Sequence, residues 1–458
     1  MPGNLVDPTQ VAISFDSVET APLVERHSGD RWLAVARAGL ILTLTLATFG
    51  FGAVQPWAWG AITLALSALL IVWALSATRS GLARIVWTPL YLPAALFLML
   101  GLLQFSAHLT ADSIATREAL LKLVTNLMIF FLALNLWAAA PSGPSRRLGL
   151  TLAILAGALA LFGTLQFFAS PDTIYGVVRP RWGGWIFGPY VNHNHFAGLM
   201  EMLIPIALCY LISIWARWAG RQLRLLLIFG ILIAVASVLL SGSRGGVVSL
   251  AVEIIILGLI LWRRFPGVGR RSLAIGGLLG LTAAAGLFLW LDPGQVSKRL
   301  VTVANVTRSP DATFGERRLL ARDSLRIFRD HPWLGTGLGS FATVYPRYRS
   351  FPSDLDWDHA HNDYAEALAE AGIIGGLAIL AALILFFRAA FRDLHDRLGR
   401  GAGWIRLGAA LGCCGLLVHS LVDFNLHIPA NAAWFSLCAG LAVCPDAHAD
   451  DSTDPREP

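Results

Sequence analysis

Twelve mostly apolar runs, each near the roughly 20 residues that carry an α-helix across a hydrocarbon layer, divide this chain. They fall at 34–54, 57–77, 86–106, 119–139, 148–169, 194–214, 223–241, 245–262, 272–291, 372–391, 406–423 and 431–445, the last being the shortest. No water inside a bilayer satisfies backbone N–H and C=O groups, so each run must form a helix that bonds within itself. The 14% charged content, against about one quarter in soluble domains, excludes an ordinary soluble fold. The expected class is an all-α polytopic membrane protein with about twelve transmembrane helices.

The basic residues orient those helices. With the N-terminus in the cytoplasm, every even-numbered connection is cytoplasmic. These connections hold Arg79 and Arg84; Arg146 and Arg147; Arg217, Arg221 and Arg224; Arg263, Arg264, Arg270 and Arg271; and Arg392, Arg397 and Arg400. The short connections opposite hold only Arg117, Lys122, Arg179, Arg181 and Arg244, which is the asymmetry of the positive-inside rule. The 292–371 connection, with its ten Lys and Arg residues, lies on the outer side and is long enough to escape that rule. The layout is a cytoplasmic tail (1–33), helices one to nine (34–291), a large partly helical outer loop (292–371), helices ten to twelve (372–445) and a cytoplasmic tail (446–458). The first residues lack the order of a cleaved leader, so the first span is expected to anchor the chain. The net charge of +6 reflects this topology and carries no implication of nucleic acid. Cys209, Cys413, Cys414, Cys438 and Cys444 all lie in or beside apolar runs, with no disulfide framework and no paired-cysteine metal motif.

Three polar clusters remain, all on the outer side. In "RPRWGGWIFGPYVNHNHFAG" (179–198), the tryptophans suit an interfacial belt and Asn194 suits a helix cap. Arg179 and Arg181 stand where charge opposes the topology. Asn192, His193 and His195 either line a polar site or pack at the interface. In "SGSRGG" (241–246), Arg244 sits at the hydrocarbon boundary, where charge usually marks function, although snorkelling to headgroups is the alternative.

The third cluster is the long loop. Arg322, Arg326 and Arg329 share one face of a helix, either solvated or bound to anionic headgroups. "GTGLGS" lacks the lysine of a phosphate-binding loop, and "DLDWD" (354–358) lacks the calcium-loop pattern. In "HAHNDYAEALAEAGIIGG" (359–376), a helix is expected from about Asn362 to Ala371, stopping at Gly372. His361 then lies at its N-terminus, as a cap or as a base. There the helix dipole disfavours added positive charge and favours a neutral, proton-accepting imidazole. Asp423, Asn425 and His427 either shape an acceptor site or cap a helix, and Glu201 and Glu253 stay unassigned.

The segment from His361 resembles the signature of bacterial O-antigen ligases: His361, Asn362, nine residues, Gly372, two residues, Gly375. "NHNHFAG", "SGSRGG", "HPWLGTGLGSF" and "HSLVDFNLHIPANA" (419–432) resemble the same superfamily, which includes O-antigen polymerases. The resemblance spans roughly 190 to 445. It implies a GT-C-like, metal-independent membrane glycosyltransferase with no cofactor, in the bacterial inner membrane with its site facing the periplasm. The donor would be a polyprenyl (undecaprenyl) diphosphate-linked glycan, and the acceptor a lipid A core or another glycan. On this resemblance His361 would be the base and Arg244 would bind the diphosphate, with Arg181 or Arg179 as its partner. Asn362, Asn192, His193, His195, Arg322 and Asp423 complete the candidate substrate contacts. A polysaccharide polymerase and a lipid or polysaccharide transporter are the competing expectations. Charge at the ends of spans, rather than at the midplane, favours the enzyme.

Overall fold

The computed structural model describes residues 31–79, 85–138, 142–180, 186–215, 220–264, 312–352, 356–399 and 401–445. The helices are α1 (Arg31–Phe49), α2 (Pro56–Arg79), α3 (Tyr91–Ser106), α4 (Ser113–Trp137), α5 (Ser142–Ala169), α6 (His193–Trp215), α7 (Arg221–Ser241) and α8 (Arg244–Arg264). They continue with α9 (Ala312–Asp330), α10 (Phe341–Val344), α11 (Asp363–Phe391), α12 (Leu394–Gly399), α13 (Gly401–His419) and α14 (Pro429–Ala442). Short 3₁₀ turns lie at Phe51–Ala53, Tyr345–Arg347 and Asn425–His427. Among the described residues there is no strand beyond two isolated bridges. This is an all-α polytopic membrane protein.

Nine described helices are long and apolar enough to cross a membrane: α1, α2, α4 to α8, α11 and α13. The expected third and twelfth spans are shorter, as α3 with 16 residues and α14 with 14. At 1.5 Å per residue, α14 reaches only about 21 Å. The ninth expected span, 272–291, lies outside the described residues.

The bundle is built around α6 and α13, buried continuously over 194–207 and 403–417. Small residues allow this. A Cβ on Gly408 would lie 2.6 Å from the Cα of Ile206, and one on Gly412 would lie 2.7 Å from the Cα of Met202. Without a hydrophobic driving force between helices in lipid, such backbone approach is what holds them together. The peripheral helices present Leu64, Ile71, Met99, Leu226 and Ile255 outward. That pattern suits a chain whose solvent is hydrocarbon.

The helix expected at 362–371 and the span expected from 372 are one element. α11 runs from Asp363 to Phe391 with a single break at Gly372 (φ 61°, ψ −163°), a conformation essentially reserved for glycine. The amides freed at the break do not go unsatisfied. Ile373 N–H donates to Pro332 O (2.8 Å) and Ile374 N–H to Trp333 O (3.4 Å), so the 332–335 loop replaces the missing helical acceptors.

Candidate active site

The C-terminal end of α13 and the turn after it organise this end of the bundle. A helix end leaves carbonyls without partners, and other elements supply them here. Tyr364 Oη donates to Leu417 O (2.8 Å), Asp363 N–H to Ser420 O (3.0 Å) and Asn362 Nδ2 to Leu421 O (2.8 Å). Arg317 of α9 donates through Nη1 to Val422 O (2.8 Å). The starts of α9 and α11 are thereby pinned to one turn.

Asp423, fully buried, sits at the centre. One carboxylate oxygen faces His361 Nδ1 at 3.7 Å and His195 Nε2 at 3.8 Å; the other faces Arg317 Nη2 at 3.6 Å. Burial alone would raise the pKa of this carboxyl. The His361 imidazole, the Arg317 guanidinium, His195 and His419 outweigh that and hold it below the ordinary carboxylate range. The Phe424 ring touches both histidines edge-on, at 4.7 Å for His361 and 4.9 Å for His195. Trp357 packs on the His361 ring at 5.6 Å. His361 is held in a left-handed backbone conformation (φ 50°), and the side chain of Asn362 caps α11 by accepting from the amides of Tyr364 and Ala365.

The arginine motif reaches the same turn. Ser243 Oγ accepts from Gly246 N–H (3.1 Å) at the start of α8, which begins with exposed Arg244. A Cβ on Gly245 would stand 2.5 Å from His419 Nε2, and one on Gly246 would stand 3.1 Å from Glu201 Oε1. His419 Nδ1 and Glu201 Oε1 pair at 2.8 Å inside the bundle. Hence the segments carrying Arg244 and His361 both pack on the stretch from His419 to Asp423.

The other sequence-selected residues separate. Asn192, not Asn194, caps α6, its Oδ1 accepting from Asn194 N–H (2.9 Å); His193 is the first residue of that helix. Arg179 is exposed in the preceding loop, and Arg181 lies outside the described residues. Arg322, Arg326 and Arg329 are all exposed, and Arg326 pairs with Asp323 at 3.1 Å, which fits the solvated face. Arg317 escaped the sequence reading, yet its register was available: 317, 320, 324 and 327 fall on one stripe, and Leu320, Ser324 and Ile327 are buried.

Two further arrangements were not foreseen. The amides at the end of "GTGLGS" are already taken by an internal carboxylate: Gly339 and the following Phe341 donate to the two Glu370 carboxylate oxygens, each at 2.8 Å. Beside Phe424, His359 stacks on its ring (4.5 Å) and pairs with Glu366 at 2.8 Å. His427 pairs with Asp363 through Nδ1 at 2.8 Å and faces Glu366 through Nε2 at 3.2 Å. Burial opposes charge on His427, but Glu366 and Asp363 prevail and raise its pKa to about 10.

Residues 229–380 match the family model described as O-antigen ligase. This segment belongs to the O-antigen ligase family. The ligase-family match runs from α7 to the middle of α11 and so contains "SGSRGG", Arg317 and His361. His195 and Asp423 lie outside it, and the fold brings them to His361. A search of curated proteins found no match to the chain.

Proposed function

We propose that this protein is an inverting membrane glycosyltransferase that moves a glycan from a polyprenyl diphosphate carrier to an acceptor hydroxyl. The reaction would take place at the periplasmic face of the bacterial inner membrane, with both termini cytoplasmic. The observation that carries the reading is the buried pairing of Asp423 with His361, beside the turn on which the Arg244 motif also packs.

The donor's reactive carbon is tethered by its lipid just above the hydrocarbon boundary, so the chemistry belongs at the ends of the spans. The acceptor oxygen attacks the anomeric carbon. Its proton goes to His361, and the diphosphate leaves with the bonding electron pair. Direct displacement inverts the anomeric centre. Asp423 orients the imidazole through Nδ1 and stabilises the imidazolium that forms, the part a carboxylate plays in a catalytic triad. Arg244 meets the leaving charge; its planar fork is suited to phosphate in a way an ammonium is not. Arg179 and Arg181 are the candidates for a second cation there. Side chains alone supply this chemistry, and no step calls for a metal. Asn362 and Asn192, whose side chains are committed to helix caps, act by positioning.

The ligase reading, with a lipid A core as acceptor, is preferred to polymerase because the matched model is the ligase one. The test is complementation of a ligase-null strain. Restored polysaccharide on lipid A is expected. Altered chain length without ligation would replace the ligase reading with polymerase, and lipid transport without glycosyl transfer would overturn both.

A further inference from the structure

Beside the candidate active site, two stretches of chain bring two imidazoles and a carboxylate to one point: His359 and Glu366, seven positions apart, and the distant His427. His359 comes from the loop before α11, Glu366 from the first turns of α11 and His427 from the turn before α14. One ligand atom from each lies within 4.8 Å of the others. The individual separations, 2.8 Å from His359 Nδ1 to Glu366 Oε1 and 3.2 Å from that oxygen to His427 Nε2, are revealing. Donors about 2.0–2.2 Å from a tetrahedral ion stand roughly 3.3–3.5 Å from one another. The arrangement therefore needs only small shifts to close on a cation.

We propose that His359, Glu366 and His427 bind a zinc-class divalent transition-metal ion, with Asp363 as the outer carboxylate that orients His427. Nothing in the transfer chemistry proposed above requires this ion, and the inference stands apart from it. Three observations favour a metal over a merely salt-bridged cluster. First, charge balances: a divalent ion matches the two carboxylates with both imidazoles neutral. Second, the supporting contacts are of the kind that accompany metal-bound imidazole and carboxylate. His427 presents its other nitrogen to Asp363 Oδ1 at 2.8 Å, and Glu366 Oε2 accepts the Ala360 amide at 2.7 Å. Third, two nitrogens and one oxygen suit zinc-class ions, whereas magnesium and calcium prefer oxygen alone. Three protein ligands leave the fourth position for water.

The site clamps the loop carrying His361 to the turn carrying Asp423. His359 and His361 both touch the Phe424 ring, so the ion would fix the wall against which the candidate base packs.

The test uses the full chain in nanodiscs with any affinity tag removed, stripped with chelator and titrated with Zn²⁺ or Co²⁺. One ion per chain is expected by elemental analysis, Co²⁺ should show the intense visible bands of a tetrahedral site, and Zn²⁺ should raise Tm. Glu366→Gln and His359→Ala should abolish stoichiometric binding and the Zn²⁺-dependent rise in Tm. Asp363→Asn should weaken binding about 10–100-fold. His395→Ala, at the opposite end of the bundle beside Arg264, should bind normally. Substoichiometric metal in the wild-type chain, octahedral Co²⁺ spectra, or equal binding by His359→Ala and Glu366→Gln would overturn the site. Because each variant is judged against its own metal-free Tm, loss of fold is distinguishable from loss of the ion.

Discussion

Replacing Asp423 by Asn tests the coupling between the buried carboxylate and His361 at constant shape. When His361 takes a proton, the imidazolium lies with Nδ1 3.7 Å from the carboxylate. At an effective dielectric constant of about 20, unit charges at that separation attract by about 4.5 kcal/mol. At 1.36 kcal/mol per decade, complete loss of that term would slow proton abstraction about 2,000-fold. Asn keeps a dipole in place and recovers part of it, so kcat is expected to fall about 10²–10³-fold. KM for the lipid-linked donor should change little, since the carboxylate acts on the base. The assay is multiple-turnover transfer in nanodiscs, with Tm measured in parallel because Asp423 also faces Arg317. A folded Asp423→Asn protein with kcat within threefold of wild type would refute the reasoning. So would a loss confined to KM.

Arg317→Ala removes the guanidinium from a fully buried carboxylate and from Val422 O, and breaking such a pair costs about 3–5 kcal/mol. Tm should fall sharply, whereas Arg322→Ala on the exposed face of the same helix should leave both Tm and turnover near wild type. Glu370→Gln replaces an acceptor of two amides with a group that has only one accepting atom, at a cost of about 1–3 kcal/mol. Hydrogen exchange should then lose protection at Gly339 and Phe341 ahead of the rest of the loop.

The described spans were legible because lipid forces each crossing segment to satisfy its own backbone. The exceptions have local causes. Pro89 disfavours helix at Thr88, and Asn135 accepts the Val86 amide at 2.9 Å, so the third span starts at Tyr91 rather than 86. Pro429, suited to a first helical turn, starts the last one at 429 rather than 431, and it ends at Ala442 rather than 445. The break at Gly372 was also legible, as a stop. That the helix resumes immediately depends on carbonyls from Pro332 and Trp333, which periodicity along the chain does not register. His361 and Arg244 carried local motifs. Arg317, Glu366, Glu370 and His427 acquire their partners only on folding. Glu366 and His427 are 61 positions apart and Arg317 and Val422 are 105, so no short pattern marks these pairings, although His427 itself lay in a quoted motif. Arg317 left a fainter trace, as an arginine on a buried stripe.

The central claim is that His361 takes the acceptor's proton. It is tested most directly by transfer from a purified polyprenyl-diphosphate-linked glycan to an acceptor in nanodiscs, comparing wild type with His361→Ala and measuring donor binding alongside. Losing general-base catalysis should lower kcat by about 10²–10⁴-fold, with donor affinity and Tm close to wild type. A His361→Ala protein that binds the donor and still turns over at near wild-type rate would contradict the account.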